Sequence, residues 1–305
     1  MIKKKLLNGG IILYILENDD LKLVADLHGA ELHSLQSKTS GTEYLWNGSP
    51  DYWKYHAPFL FPFVGRCINN EFRIAGKTYT LPQHGFARIS DFVCIAETAD
   101  SLTFELKAND TTRKQYPYEF SFRITYTLKG SVVTVSLTAE NLDKKHMPFS
   151  FGAHPAFMCP MNDGETFADY YLEFSERETA GIYPIIASGC LSDKKEPFLE
   201  DAVILPLTPE LFHNDALVFD SLKSHTIALK SKNHNKSLIM DFHEFPWFGI
   251  WSPVKGAPFL CLEPWLGHAD FAGFSGEFSD KHGVVSLAPG QELTRSYSLR
   301  IEEQL

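Results

Sequence analysis

The run Phe120-Ser121-Phe122-Arg123-Ile124-Thr125-Tyr126-Thr127-Leu128, then Lys129-Gly130-Ser131, then Val132-Val133-Thr134-Val135-Ser136-Leu137-Thr138 decides the fold class. Apolar side chains stand at every second position of the first limb, with Ser121, Arg123, Thr125 and Thr127 between them. Side chains of an extended chain alternate between two faces, so one face here is apolar and the other polar. In the second limb Val133, Val135 and Leu137 continue the apolar set. Two such limbs joined by a short glycine-containing turn predict a long antiparallel hairpin buried on one face.

Outward from this hairpin the chain reads as strand, turn, strand. Gly10 to Glu17 and Leu21 to Asp26 form a hairpin around Asn18-Asp19-Asp20, and Ala30 to Gln36 follows with a broken alternation at Leu32 and Leu35. Phe72 to Leu81 turns at Ala75-Gly76-Lys77, and Phe92 to Glu97 pairs with Leu102 to Leu106. Glu292 to Ile301 returns to alternation. Helical turns fit at Asp110 to Gln115 and at Thr208-Pro209-Glu210, where Thr can cap and Pro takes the first helical position. The sum is an all-β chain, a large antiparallel β-sandwich with few short helices.

The 305 residues contain no repeat, low-complexity tract or linker-like boundary, so residues 1–305 read as a single domain. Twenty-four Phe and twelve Tyr favour strands and supply ample core. A net charge of −10 argues against nucleic acid and against an anionic membrane as partners. The five cysteines, Cys67, Cys94, Cys159, Cys190 and Cys261, are scattered without a CxxC, which suits reduced thiols rather than a disulfide framework. Lys3-Lys4-Lys5 precedes an apolar run, but Asn8-Gly9-Gly10 splits it and no cleavage site follows. Phe59 to Val64 is too short to span a bilayer. The expectation is a soluble cytoplasmic protein.

Several stretches carry groups able to do chemistry. Phe259 to Leu262 reads as an apolar strand running into Glu263-Pro264-Trp265-Leu266-Gly267, with Pro264 stopping the ladder. Glu263 shares a face with Cys261 and Phe259, and a carboxylate at a buried strand end must be paired, hydrogen-bonded or used. It serves either as a structural group bonded to the following turn or as a working carboxylate. In Phe149-Ser150-Phe151-Gly152-Ala153-His154 the aromatic face is core, while the small Ser150 and Gly152 leave a hollow beside His154. His154 either fills a gap or faces a ligand. His84-Gly85 looks like a turn presenting an imidazole, with Arg66 and Arg88 nearby; the ordinary role of such arginines is ion pairing. Asp215 follows the turn at Thr208 and either caps it or meets a ligand. Trp247, Gly249 and Trp251 alternate, offering core aromatics or a stacking face for a pyranose. No HxH, HExxH, local Cys/His ligand spacing, GxSxG or phosphate-binding glycine loop is present, so neither a metal nor a cofactor is expected.

Val64-Gly65-Arg66, His84-Gly85-Phe86-Ala87-Arg88, His154-Pro155-Ala156-Phe157, Asn214-Asp215-Ala216-Leu217 and Glu263-Pro264-Trp265-Leu266-Gly267, in that order, resemble the aldose 1-epimerase (galactose mutarotase) family, especially its LacX-like branch. The resemblance implies a galactose mutarotase-like supersandwich that interconverts the α and β anomers of a hexose without a cofactor. It implies His154 as the general acid at the ring oxygen and Glu263 as the general base at the anomeric hydroxyl. Arg66, His84 and Asp215 would orient the sugar. The segment His84 to Arg88 is also similar to hexose-6-phosphate epimerases, for which Arg66 and Arg88 would be phosphate ligands. A non-catalytic sugar-binding protein and a glycoside hydrolase, which needs a second carboxylate beside Glu263, stay as further readings.

Overall fold

The structure is a computed structural model describing residues 2–6 and 12–303. Phe120–Lys129 and Val132–Asn141 pair antiparallel through their whole length, with Ile124 opposite Leu137 and Tyr126 opposite Val135. They lie within a nine-stranded antiparallel sheet, flanked by Ser101–Lys107 and Val93–Glu97 on one side and by Glu292–Glu302 on the other. The apolar face of this hairpin is fully buried. Its rings meet a second sheet: Phe61 stacks on Phe122 at 4.5 Å between centroids, and Phe151 lies 6.1 Å from Phe122. Each such ring removed from water contributes roughly 1.5–3 kcal/mol. A third, four-stranded sheet, which includes Ile12–Glu17, Leu21–Asp26 and Leu32–Ser37, packs on the same core through Tyr14 against Phe104. The molecule is an antiparallel β-sandwich.

The hairpins around Asn18-Asp19-Asp20 and at Ala75-Gly76 form as the sequence predicts; Gly10 and Asn8-Gly9 lie outside the described residues. The irregular strand near Leu32 is explained by a register shift between Val24 and Ala25 on its partner. Asp110–Gln115 is a helix capped by Asn109. Thr208 takes the cap position of a short 3-10 turn, Pro209–Phe212, but makes no side-chain capping hydrogen bond. No disulfide joins the five cysteines. Among the described residues no helix is long and apolar enough to cross a membrane.

One expectation fails in an informative way. The strand expected to stop at Pro264 runs on as Phe259–Trp265, in the middle of the second sheet. On one edge it pairs with Trp247–Trp251, with Phe248 opposite Pro264. On the other edge it meets two short segments in succession, Ala156–Met158 and Gly152–Ala153. Leu262 N–H donates to Pro155 O and Leu266 N–H to Phe151 O, so the position between them, Pro264, aims its missing N–H at the break between those segments. A proline is tolerated where no ladder bond is called for. That break is where His154 sits.

Candidate active site

Alternation splits the strand Phe259–Trp265 between two environments. Leu260 and Leu262 join the main core, whereas Phe259, Cys261, Glu263 and Trp265 point to the opposite side. That side carries a cavity of about 650 Å³, within the roughly 300–1,000 Å³ usual for small-molecule sites. Its lining includes Arg66, His84, Arg88, His154, Asp215, Trp251 and Glu263, all seven candidates from the sequence. They arrive from separate strands and loops: Glu263 stands opposite Gly249, and Asp215 lies two residues before the start of Leu217–Phe219, the next strand across. Trp247, on the same strand face, packs tilted against His268 with ring centroids 4.1 Å apart and lies outside the cavity lining, so only Trp251 of that pair belongs to the cavity.

His154 Nε2 and Glu263 Oε2 are 3.1 Å apart, and both side chains are nearly inaccessible to solvent. Neither carboxylate oxygen, nor His154 Nδ1, has a well-formed hydrogen bond. Burial is the main force on both groups, because it penalises charge. It pulls His154 down to about 3, helped by the Arg88 charge. It pushes Glu263 well above the usual carboxylate range, helped by the Asp215 charge. The Trp265 indole N–H lies beside the carboxylate and acts the other way, though without hydrogen-bond geometry. The favoured state is therefore a pair holding one proton between its two members, with no net charge. Protonating both or neither would bury an uncompensated charge.

The surrounding residues shape this floor. The hollow expected in front of His154 is only partly open: a Cβ on Gly152 would meet Trp265 Cδ1 at 2.7 Å, so the indole fills the space that Gly152 leaves. Ser150 is fully buried and accepts a hydrogen bond from Val64 N–H at 3.3 Å. Open space remains on the Trp53 and Trp251 side; the Trp53 indole lies over His154 at 4.8 Å and Trp251 meets it edge-on at 5.8 Å.

His84 and Gly85 are both left-handed, at φ 69° and 70°. Only glycine fits the second place, since a Cβ there would lie 2.2 Å from Phe61 O. His84 Nδ1 accepts Gly65 N–H at 3.1 Å, which puts the ring proton on Nε2. Burial, with the charges of Arg88, Arg66 and a protonated His154, holds this imidazole well below its ordinary value. His84 is thus a neutral hydrogen-bond donor. Gln83 Oε1 accepts from Arg66 Nη2 at 3.3 Å, and Gln83 Nε2 lies 3.2 Å from His84 Nε2, where two N–H donors face each other and form no hydrogen bond.

The ion pairs expected for Arg66 and Arg88 do not form among the described residues. Arg88 Nη2 donates to Gln83 O at 2.8 Å and its guanidinium lies over the Tyr55 ring, while Nε of each arginine is buried without a partner. Asp215 is left-handed, at φ 72°, and its Oδ1 accepts Ala216 N–H. Asp270 lies outside the cavity lining and props it. Its carboxylate takes Lys281 Nζ at 2.6 Å and Ile68 N–H at 2.9 Å, and its backbone ties to Arg66 O and Leu191 N.

Sequence reasoning missed Trp53, Gln83 and the segment Ile185 to Gly189, which closes against Arg66. The signal for Trp53 was an aromatic-rich loop, Tyr52-Trp53-Lys54-Tyr55, with no strand pattern to absorb it. Nothing local marked the other two.

Relatives point the same way. The family profile described as aldose 1-epimerase matches residues 13–300. The plasmid-borne protein LacX of Lactococcus lactis subsp. lactis is 36% identical over 295 residues, covering 94% of this chain and 98% of that one. A solved galactose mutarotase related enzyme from Lactobacillus acidophilus superposes with a TM-score of 0.91 at 34% identity, covering 95% and 97% of the two chains. A galactose mutarotase-like protein from Lactobacillus casei gives 0.90 at 31% identity, over 95% and 100%. On the full-length profile match and these relatives, the chain belongs to the aldose 1-epimerase family.

Proposed function

We propose that this protein, acting as a single catalytic unit, interconverts the α and β anomers of a hexose by general acid–base ring opening and closure. The observation that carries the reading is the His154–Glu263 contact of 3.1 Å on the cavity floor. Mutarotation moves one proton from the anomeric hydroxyl to a base and one from an acid to the ring oxygen, two oxygens on the same carbon. An acid and a base in contact with each other can reach both. In the ion-pair state Glu263 accepts the hydroxyl proton while His154 Nε2 protonates the ring oxygen, and the ring opens to the aldehyde. The pair is then left as carboxylic acid and neutral imidazole, the state that burial favours. Rotation about C1–C2 presents the other carbonyl face, and closure returns both protons. Net charge on the pair is zero throughout, so no step buries an uncompensated charge. Each positioned group contributes about 10²–10⁴-fold.

His84 Nε2–H, Arg66 and Asp215 supply hydrogen bonds to hydroxyls, and Trp53 and Trp251 supply apolar faces for the ring. A second reading, a hexose-6-phosphate 1-epimerase, is favoured by two cavity arginines that lack carboxylate partners among the described residues. Polarimetry on α-D-galactose, α-D-glucose and glucose 6-phosphate separates the two. Faster anomerisation of free galactose or glucose supports the aldose reading. A preference for the phosphate that Arg88→Ala abolishes selectively supports the second.

A further inference from the structure

We infer that His154, Cys261 and Glu263 form a site for a thiophilic divalent cation of the zinc class, and that the bound cation excludes the sugar. The three donors come from neighbouring strands: Cys261 and Glu263 share one face of Phe259–Trp265, and His154 sits at the break beside it. No spacing along the chain would reveal them, since His154 and Cys261 are joined only by sheet pairing. One donor atom from each lies within 4.8 Å of the others, and all three residues are buried.

The size of the triangle fits. With Zn–N and Zn–O of about 2.0–2.1 Å and Zn–S of about 2.3 Å, a tetrahedral site has an N···O edge of about 3.3 Å and edges to sulfur of about 3.6 Å. The His154–Glu263 edge is already 3.1 Å. The thiol needs at most about 1.2 Å of approach, within the reach of side-chain rotation. An imidazole, a thiolate and a carboxylate form a donor set typical of zinc.

An independent observation also points to a ligand. Both Glu263 oxygens, on a side chain 1% exposed, are buried without a hydrogen-bond partner. A cation between Glu263 and His154 gives the carboxylate the partner it lacks. His154 and Glu263 line the cavity whereas Cys261 does not, so the ion enters from the cavity and keeps its fourth position on that side. Asp215 adds negative charge near Glu263, and Arg88 opposes from the His154 side. Binding converts the Cys261 thiol to thiolate and displaces the proton that His154 and Glu263 share, releasing both protons to solvent, so affinity rises with pH. The other cluster of this kind, Glu31, His33 and His56, is less suited. Its two imidazoles stack at 4.1 Å and 13°, so their in-plane lone pairs lie in nearly parallel, separate planes.

The exclusion of sugar rests on the proposed function, but the binding does not, and a spectroscopic test keeps the two apart. Chelator-treated protein is titrated with Co²⁺ and then with Zn²⁺. The expected result is a thiolate-to-cobalt charge-transfer band, displaced by Zn²⁺ and lost in Cys261→Ser. Glu263→Gln, which keeps the thiol and the shape, should weaken Zn²⁺ binding by at least about tenfold by the affinity arithmetic of a lost charged ligand. His56→Ala should leave the band unchanged. Zn²⁺ should inhibit anomerisation competitively with sugar, and chelator should restore it. Absence of the band in the unsubstituted protein overturns the inference, as does its persistence in folded Cys261→Ser. Co²⁺ binding without a thiolate band, abolished by His56→Ala, overturns it too, by placing the ion at the stacked pair. A cobalt–thiolate band in a protein with no anomerisation activity would sink the functional reading while sustaining the metal site.

Discussion

Replacing Glu263 by Gln tests the buried pair by proton counting rather than by contact energies. In the unfolded chain Glu263 and His154 have ordinary values of 4.5 and 6.5. Together they hold two protons below 4.5, one between those values and none above 6.5. In the folded chain His154 gives up its proton only near 3, and Glu263 keeps its proton well above its ordinary value. The native pair therefore holds one proton across the neutral range. Stability falls with rising pH wherever the native state holds more protons than the unfolded state. Above 6.5 the native state holds the excess wherever Glu263 keeps its proton, at most one proton and so a slope of at most about 1.4 kcal/mol per pH unit. Between 4.5 and 6.5 the counts match and the slope vanishes. Below 4.5 the unfolded chain holds more protons, and stability falls as pH drops. Glu263→Gln removes the raised carboxyl and leaves only the lowered histidine, which contributes no slope above 6.5. For as long as native Glu263 keeps its proton, the variant should gain on the parent between about pH 7 and about pH 8.5, by at most about 2 kcal/mol. Urea unfolding of both proteins at the two pH values measures this, with slopes against denaturant checked for equality. A stability difference independent of pH, or one moving in the opposite direction, would refute the one-proton pair.

The same proton count predicts a broad bell for kcat/KM against pH with no break near 6.5, since its limbs belong to the pair rather than to either residue. A histidine-like fall near the ordinary value of 6.5 would contradict it. Asp215→Asn removes a negative charge that holds the Glu263 proton, so the alkaline limb should move to lower pH while KM rises; an unmoved limb in a pH–rate series would show that Asp215 acts on sugar alone. Asp270→Asn leaves the Lys281 ammonium buried without its 2.6 Å counter-charge, and should cost roughly 3–5 kcal/mol in thermal or chemical unfolding. In the surviving folded fraction KM should rise more than kcat falls, because displacing the Asp270 segment, whose backbone N–H bonds Arg66 O, shifts Arg66.

How far the sequence reached depends on how local each cause is. The hairpin from Phe120 to Thr138 was legible because burial of one face writes itself as a period of two. The arrangement of sheets was not, since which strands become neighbours is decided by packing between distant segments. Pro264 misled for a related reason. A proline excludes a ladder bond, but whether one is called for at that place depends on two short segments about one hundred residues upstream, and they leave a break there. His154 and Glu263 were readable as unusual groups, a histidine with small neighbours and a carboxylate ending an apolar strand, and the family pattern joined them. Their contact, the indole that fills the Gly152 hollow, and the thiol of Cys261 beneath them are products of register alone.

Catalysis by the buried pair is tested most directly by the rate at which freshly dissolved α-D-galactose or α-D-glucose approaches its anomeric equilibrium, followed by polarimetry or by anomeric proton NMR. The protein should accelerate that approach well beyond buffer. Glu263→Gln and His154→Asn, both folded, should each lose about 10²–10⁴-fold of the acceleration. A folded Glu263→Gln protein that anomerises sugar at nearly the parent rate would contradict the claim that this buried pair carries the reaction.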